Sequence, residues 1–237
     1  MVNDYVALDL ETTGLNPKQD RIIEVGAVKV VDGKVEGVFE SLINPGRLLD
    51  ENISELTGIT DDMLKDAPEA DEVIPKLLEF MGNDIMVGHK VLFDYSFIKR
   101  YAVNRRITFE REGIDTLKLA RKFLPELESR KLGDLCRVFD IKHTAHRALG
   151  DAQAAAQLYQ DLAGRFYKSC QGSSEDAFCP QPLVYRVKKE SPVTKPQKER
   201  LYKLLDKHKI VIDYDIEKLT KNEASRITDQ ILSKHGR

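Results

Sequence analysis

The chain has 237 residues, 41% of them hydrophobic and 32% charged, which is enough apolar material for a full core and fits one large domain or a large one with a small companion. No run of about 18 apolar residues occurs, and the opening Met1-Val2-Asn3-Asp4-Tyr5 lacks the basic and apolar blocks of a leader, so no membrane association and a cytoplasmic location are expected. The net charge of −2 hides a division: residues 1–181 hold 23 basic and 31 acidic side chains, a balance of −8, and residues 182–237 hold 14 and 8, a balance of +6.

Residues 5–11, Tyr-Val-Ala-Leu-Asp-Leu-Glu, read as a short strand that Asn16-Pro17-Lys18 separates from a longer Ile- and Val-rich strand over 21–31. Asp32-Gly33 is a two-residue hairpin signal, and alternation over 34–43 supplies the third antiparallel strand, which stops at Asn44-Pro45. The period then changes. Residues 71–81 place Ile74, Leu77, Leu78 and Met81 on one helical face, with Pro75 tolerated if the first turn starts near it. A short buried strand follows over 84–87, a helix over 94–104, and another short strand at Ile114-Asp115. Helices are expected over 116–123, 131–139 and 148–166, the last Ala-rich. Three antiparallel strands followed by strand–helix alternation predict a mixed α/β sheet with helices on its faces. Residues 169–182, SCQGSSEDAFCPQP, have the composition of a linker. Beyond it, Leu201, Leu204 and Leu205 mark one short helix, 220–234 a second, and 209–214 an extended connection. The expected organisation is a domain over 1–168, a linker over 169–192 and a basic helical module over 193–237. Cys136, Cys170 and Cys179 are too few for a disulfide framework or a Cys-rich zinc site; reduced thiols are expected, although Cys170 and Cys179 could bridge a loop.

Asp9 and Glu11 stand two apart in an apolar strand, so both point to the same face. Acidic residues beside a core need partners. On its own the pair could be the wet face of an edge strand, but Thr12-Thr13-Gly14 follows directly, adding two hydroxyls and a glycine that lets a ligand approach the backbone. Oxygen ligands grouped in this way suit a hard cation such as Mg²⁺ or Mn²⁺. Asp94 follows the strand at 84–87, where an acid near a helix start often serves as a cap or dipole partner. His146 and Asp151 straddle the start of the long helix. A histidine there can take a proton from water near neutral pH, or can simply be a surface or core-edge residue. No single one of these residues is decisive.

Taken in order, the set resembles the DnaQ-like exonucleases of the DEDD superfamily, histidine subgroup, of polymerase III epsilon and PolC type. The motifs are Asp9-x-Glu11-Thr12-Thr13-Gly14, a second centred on Asp94, and His146-x-x-x-x-Asp151; the stretches at 22–27, 55–60 and 115–117 match as well. The resemblance covers about residues 4–166 and implies a ribonuclease-H-like fold and a 3′→5′ exonuclease that releases nucleoside 5′-monophosphates. It further implies two Mg²⁺ ions, for which Mn²⁺ can substitute: Asp9 bridges both, Glu11 and Asp151 complete the first site, and Asp94 acts mainly through bound water. His146 is then the general base. Thr12, Thr13, Gly14 and Leu15 are expected to line the terminal nucleotide, and His89 and Phe97 to shape the same pocket or pack beside it. One departure stands out: the family usually has Gly-His-Asn where this chain has Gly88-His89-Lys90.

The expected partner is a nucleic-acid 3′ end, DNA ahead of RNA, with a polymerase as a possible separate subunit since no polymerase motif is present. Residues 193–235 look similar to short helix–loop–helix segments at the ends of phage and bacterial DNA-metabolism proteins. There Lys198, Arg200, Lys203, Lys207 and Lys209 could grip phosphates or form a solvated face. An exoribonuclease with the same chemistry, or an inactive nuclease fold that recruits a replication partner, are the rival readings.

Overall fold

The computed structural model describes residues 1–170, 177–212 and 214–236, with the side chains of 168–170 left aside. The sheet is built around β1 (Tyr5–Thr12), which pairs antiparallel with β2 (Ile22–Val31) and parallel with β4 (Ile85–Gly88). β3 (Lys34–Leu42) pairs with β2 through a hairpin in which Asp32 and Gly33 hold φ of +50° and +74°, the positive values that a tight primed turn needs. β5 (Glu112–Asp115) extends the parallel side, and the order is β3-β2-β1-β4-β5-β6.

β6 (Gln181–Pro182) corrects the expected linker. These two residues pair antiparallel with β5, Phe178 is buried in the core, and Leu183 packs against the same domain. Proline is tolerated there because β6 is an edge strand. Residues 171–176 of that expected linker lie outside the described residues, as does the Cys170 side chain and with it any bridge to Cys179. Cys136 is a buried thiol, its pKa pushed up to about 11 by burial.

Two cores flank the sheet because alternate residues of a strand face opposite ways. Tyr5 and Ala7 face one core with Val28, Val30 and Tyr159; Val6, Leu8 and Leu10 face the other with Ile74, Leu77 and Tyr95. The second is covered by α3 (Ala70–Met81) and α4 (Leu92–Asn104). α1 (Glu51–Thr57) and α2 (Asp61–Lys65), short helices that periodicity did not reveal, lie before α3. α3 starts at Ala70, so Pro75 sits in its second turn rather than its first; the helix is retained because Ile74, Leu77 and Met81 are fully buried.

The first core is closed by α5 (Thr116–Phe123), α6 (Leu132–Phe139) and α7 (Ala148–Cys170). Buried Ala148, Ala152, Ala155 and Ala156 let α7 lie close on β1 and β2. The approach is closest at Gly26, where a Cβ would lie 2.1 Å from the Ala148 carbonyl carbon and the Leu149 nitrogen. Gly26 is the residue paired with Asp9, so the bare backbone opposite the acid is what admits the start of α7.

α8 (Lys195–His208) and α9 (Lys221–His235) form the C-terminal pair, each opened by a capping box, with a short 3₁₀ turn at Ile216–Lys218 between them. Val193, Leu201, Leu205, Ile216, Ala224 and Ile231 make their own small core. Of the basic residues singled out on α8, Lys198 is paired with Glu217, while Arg200 and Lys203 are exposed.

Candidate active site

The pairing of β1 with β4 stops at Ala7 and Val87, and beyond it the two strands separate, opening a cleft of about 940 Å³ at the carboxyl end of the parallel strands. The Leu10 N–H, freed there from β4, donates to Asp94 Oδ1 at 3.1 Å, which holds the acid from the first turn of α4 against β1. Asp9 and Glu11 continue the face of Tyr5 and Ala7, towards α7. Asp151, in the first turn of α7, meets them: carboxylate oxygens of Asp9, Glu11 and Asp151 lie within 4.8 Å of one another. All four acids and His146 line the same cleft.

Crowding these acids perturbs them. Asp9 is held well above the usual carboxylate range by burial first, then by Asp94, Asp151 and Glu11. Burial likewise raises Asp94, and it pushes Glu11 up to about 7 with help from Asp151 and Glu24. Mutual repulsion of this kind is what a divalent cation relieves, and an all-oxygen donor set suits a hard one. The residues present therefore fit a divalent metal centre.

A fifth acid supports the site from behind. Glu24, paired with Glu11 across the β1–β2 ladder and fully buried, accepts from Arg147 Nε at 2.9 Å, from Arg147 Nη2 at 2.6 Å and from the Ala148 N–H at 2.9 Å. It thus caps the amino end of α7, whose freed amides need an acceptor, and fixes the turn that carries Asp151. A lone acid in a strand gave no sign of this in the sequence.

A histidine that the sequence motifs do not include, His143, places its ring on Asp151: Nε2 of His143 contacts Oδ1, while the His146 backbone N–H donates to Oδ2 at 3.0 Å. His146 has φ of +60° and an exposed side chain at the cleft. His89 lines the cleft but is engaged on both sides, with Nδ1 2.9 Å from Thr116 Oγ1 and Nε2 donating to the Arg130 carbonyl at 2.9 Å. Burial lowers its pKa, so the neutral ring serves as a strut between the β4–α4 turn and the α5–α6 wall.

Phe97 is core, 4% exposed and 5.1 Å from the Phe93 ring; Phe93, one turn earlier on the same helical face, is the aromatic residue that lines the cleft. Thr12 and Thr13 are buried with their hydroxyls turned inward: Thr12 donates to the Gly14 carbonyl at 2.6 Å and Thr13 accepts from the Arg21 N–H at 3.0 Å. Gly14 fits where a Cβ would strike the Asp20 carboxylate at 2.6 Å. The result of this folded turn is Leu15, 84% exposed on the rim. Lys90 lies on the opposite rim with φ of +72°, a conformation that asparagine accepts more readily than lysine, and its N–H donates to Asp115 Oδ1 at 3.1 Å.

The sheet order, with acids from the first strand and from two helices meeting at its open end, defines a ribonuclease-H-like nuclease architecture. Its family follows from the sequence: the chain belongs to the RNase_T exonuclease family, which matches residues 6–159. It is 46% identical over 158 residues to "DNA polymerase III PolC-type" of Bacillus subtilis, a match spanning 65% of this chain and 11% of that protein. To "DNA polymerase III subunit epsilon" of Aquifex aeolicus it is 39% identical over 157 residues, spanning 65% and 78%. The chain therefore spans only about a tenth of the length of the PolC-type relatives. Among solved structures, Exonuclease X in complex with 5′-overhanging duplex DNA superposes with a TM-score of 0.54 at 29% identity, over 68% of this chain and 91% of that one. Exonuclease I shares the fold at a TM-score of 0.62 and 19% identity, over 69% and 41%.

Proposed function

We propose that this chain is a metal-dependent 3′→5′ exonuclease that hydrolyses terminal phosphodiester bonds of DNA and releases nucleoside 5′-monophosphates. The observation that carries the reading is the convergence of Asp9, Glu11, Asp94 and Asp151 on one cleft, from elements far apart in sequence. Family membership and relatives named as polymerase III components support it, and the latter favour a role beside a polymerase.

Asp9, Glu11 and Asp151 would hold two Mg²⁺ ions, with Asp94 contributing through water. When bound, such ions neutralise the phosphate and lower the pKa of the attacking water. The chain's own residues do the remainder. His146, exposed at the cleft, accepts the proton of the attacking water, while His143 and the His146 N–H hold Asp151 in its orientation. Leu15 and Phe93 offer apolar surface to the terminal base and sugar. Lys90, Arg121, Lys131 and Arg137 line the same cleft and supply counter-charge to phosphates upstream of the scissile bond, on a domain whose balance is otherwise acidic.

The test is nucleotide release from 3′-labelled and 5′-labelled oligonucleotides, of matched DNA and RNA sequence, with Mg²⁺ and with chelator. Release starting at the 3′ end, faster on DNA, abolished by chelator and by Asp9→Ala in a folded protein, is the expected result. Metal-independent release, or full activity in Asp9→Ala, would overturn the assignment.

A further inference from the structure

The loop that leaves β1 and returns to β2 carries Leu15 to the rim of the cleft. Internally it is closed by Thr13, whose N–H donates to the Arg21 carbonyl at 2.9 Å and whose Oγ1 accepts from the Arg21 N–H at 3.0 Å. Arg47 reaches both Thr13 Oγ1 and Asp20 Oδ1. A turn folds its tip, where the Gln19 and Asp20 N–H groups donate to the Asn16 carbonyl at 2.9 and 2.8 Å and the Asn16 N–H donates to Asp20 Oδ2 at 2.8 Å. No helix or strand lies between Thr12 and Ile22, so the loop's placement over the cleft depends also on what braces it from outside.

Two braces come from the C-terminal segment. Glu223, in the first turn of α9 and 6% exposed, is paired with Arg21 Nη2. Its other oxygen is used at home, accepting from the Thr220 N–H and hydroxyl, both at 2.9 Å, in the capping box. Farther back, Glu190 accepts from Arg100 Nη2 at 2.9 and 2.8 Å, and its own N–H donates to Asn104 Oδ1 at 2.9 Å. The same Arg100 nitrogen donates to the Lys18 carbonyl at 3.1 Å, in the middle of the loop. These carboxylates are largely withdrawn from water, a placement that costs free energy unless a cation meets it. In both cases the cation that meets it is also bound to the loop.

We propose that the C-terminal segment from Glu190 onward is a positioning element of the cleft: Glu223 through Arg21, and Glu190 through Arg100, hold the Leu15 loop in the place where it receives the terminal nucleotide. This rests on the exonuclease reading for the identity of the substrate. Neither glutamate touches substrate. Each instead prepays the ordering of a loop that would otherwise be ordered at the expense of binding, so the effect falls on affinity rather than on the chemical step.

The full-length protein is compared with Glu223→Gln, Glu190→Gln and the double variant. Glutamine serves as well as glutamate at the third position of a capping box, so α9 keeps its start while Arg21 loses its counter-charge. KM and kcat are measured on a 3′-labelled DNA oligonucleotide with Mg²⁺, amide exchange is followed over residues 14–20, and the melting temperature is recorded. A rise in KM of roughly three- to tenfold per variant is expected, since only part of the loop's ordering cost passes to substrate binding while the other brace remains. With it go a kcat within about twofold, since the chemical groups are untouched, and faster exchange centred on the loop. The melting temperature falls by a few degrees because each arginine is left without its counter-charge, and the kinetics are read well below it. Adding Arg21→Gln to Glu223→Gln should change little further, because one pair is broken once. Wild-type KM and loop exchange in the double variant would overturn the proposal, and so would KM and kcat worsening together. If the wild-type chain releases no nucleotide, the exonuclease reading fails instead, and the exchange data alone decide whether the brace exists.

Discussion

Consider the protein stripped of divalent cations by a chelator and brought from pH 5 to pH 7.5. In the folded chain the Glu11 carboxyl is raised from 4.5 to about 7, by burial first and then by Asp151 and Glu24. The unfolded chain releases this proton near the ordinary value, whereas the folded chain keeps it until about neutrality. Between those limits the unfolded state binds fewer protons, so stability is full below the lower value and falls as pH rises through the window. A pKa rise of about 2.5, at about 1.36 kcal/mol per unit, makes Glu11 alone responsible for on the order of 3 kcal/mol. Asp9 and Asp94, raised chiefly by burial, act in the same direction. For a chain of this size the Glu11 effect corresponds to a fall in Tm of roughly 6–12 °C. Thermal melts in chelator at the two pH values should therefore show a larger loss for the wild type than for Glu11→Gln, in which the ionisation is gone. Adding Mn²⁺ at pH 7.5 should restore the wild type, because the cation binds only the assembled, ionised cluster. Equal losses in wild type and Glu11→Gln, or no recovery with Mn²⁺, would refute the reasoning.

Gly26→Ala should cost at least about 1–3 kcal/mol in chemical denaturation, the usual range for overpacking. It should also weaken Mn²⁺ binding in a calorimetric titration, because the added methyl pushes away the α7 start that carries Asp151; unchanged affinity would mean this contact does not set the site. For the histidines, His146→Ala is expected to lower kcat by roughly 10²–10⁴-fold, as removal of a general base does. Its Mn²⁺ affinity should persist, while His143→Ala should disturb affinity more than rate, and the reverse pattern would exchange their roles. Lys90→Asn should stabilise the fold by up to about 1 kcal/mol, since asparagine accepts the left-handed backbone more easily. In the same variant, the salt dependence of DNA binding should flatten by about 0.9 if Lys90 meets a phosphate.

The carboxylates were readable as a set, through the resemblance carried by three motifs in order, and not one by one. Asp9 and Glu11 share a face by strand period, but Asp94 alone reads as a helix cap and Asp151 only as a first-turn acid of an Ala-rich helix. The hairpin at Asp32-Gly33 was readable locally, from two residues suited to positive φ. What lay beyond reach was set by tertiary contacts. Phe93 and Phe97 share one helical face, so spacing could not tell which meets the cleft and which the core. His143 reaches Asp151 only because of the path of the α6–α7 loop, and that path has no periodic signature. β6 was hidden in a Ser- and Pro-rich composition, since a two-residue edge strand needs only a neighbour with open hydrogen bonds. Glu24 lies in a stretch that matches the family, but its role as the cap of α7 depends on a helix that starts 124 residues further on in sequence.

The backbone contact between Gly26 and Ala148 has a consequence for the order in which the molecule becomes active. Almost the whole catalytic domain must be synthesised before α7 can settle on the hairpin, and until it does, the acids of β1 face no counterpart from Asp151. A nascent or truncated chain that ends short of α7 lacks both Asp151 and the helix that covers one face of the sheet, so it holds no complete cluster of acids. On the proposed reading, cleavage waits for the last helix of the domain, and a half-made copy spares the nucleic acid around it.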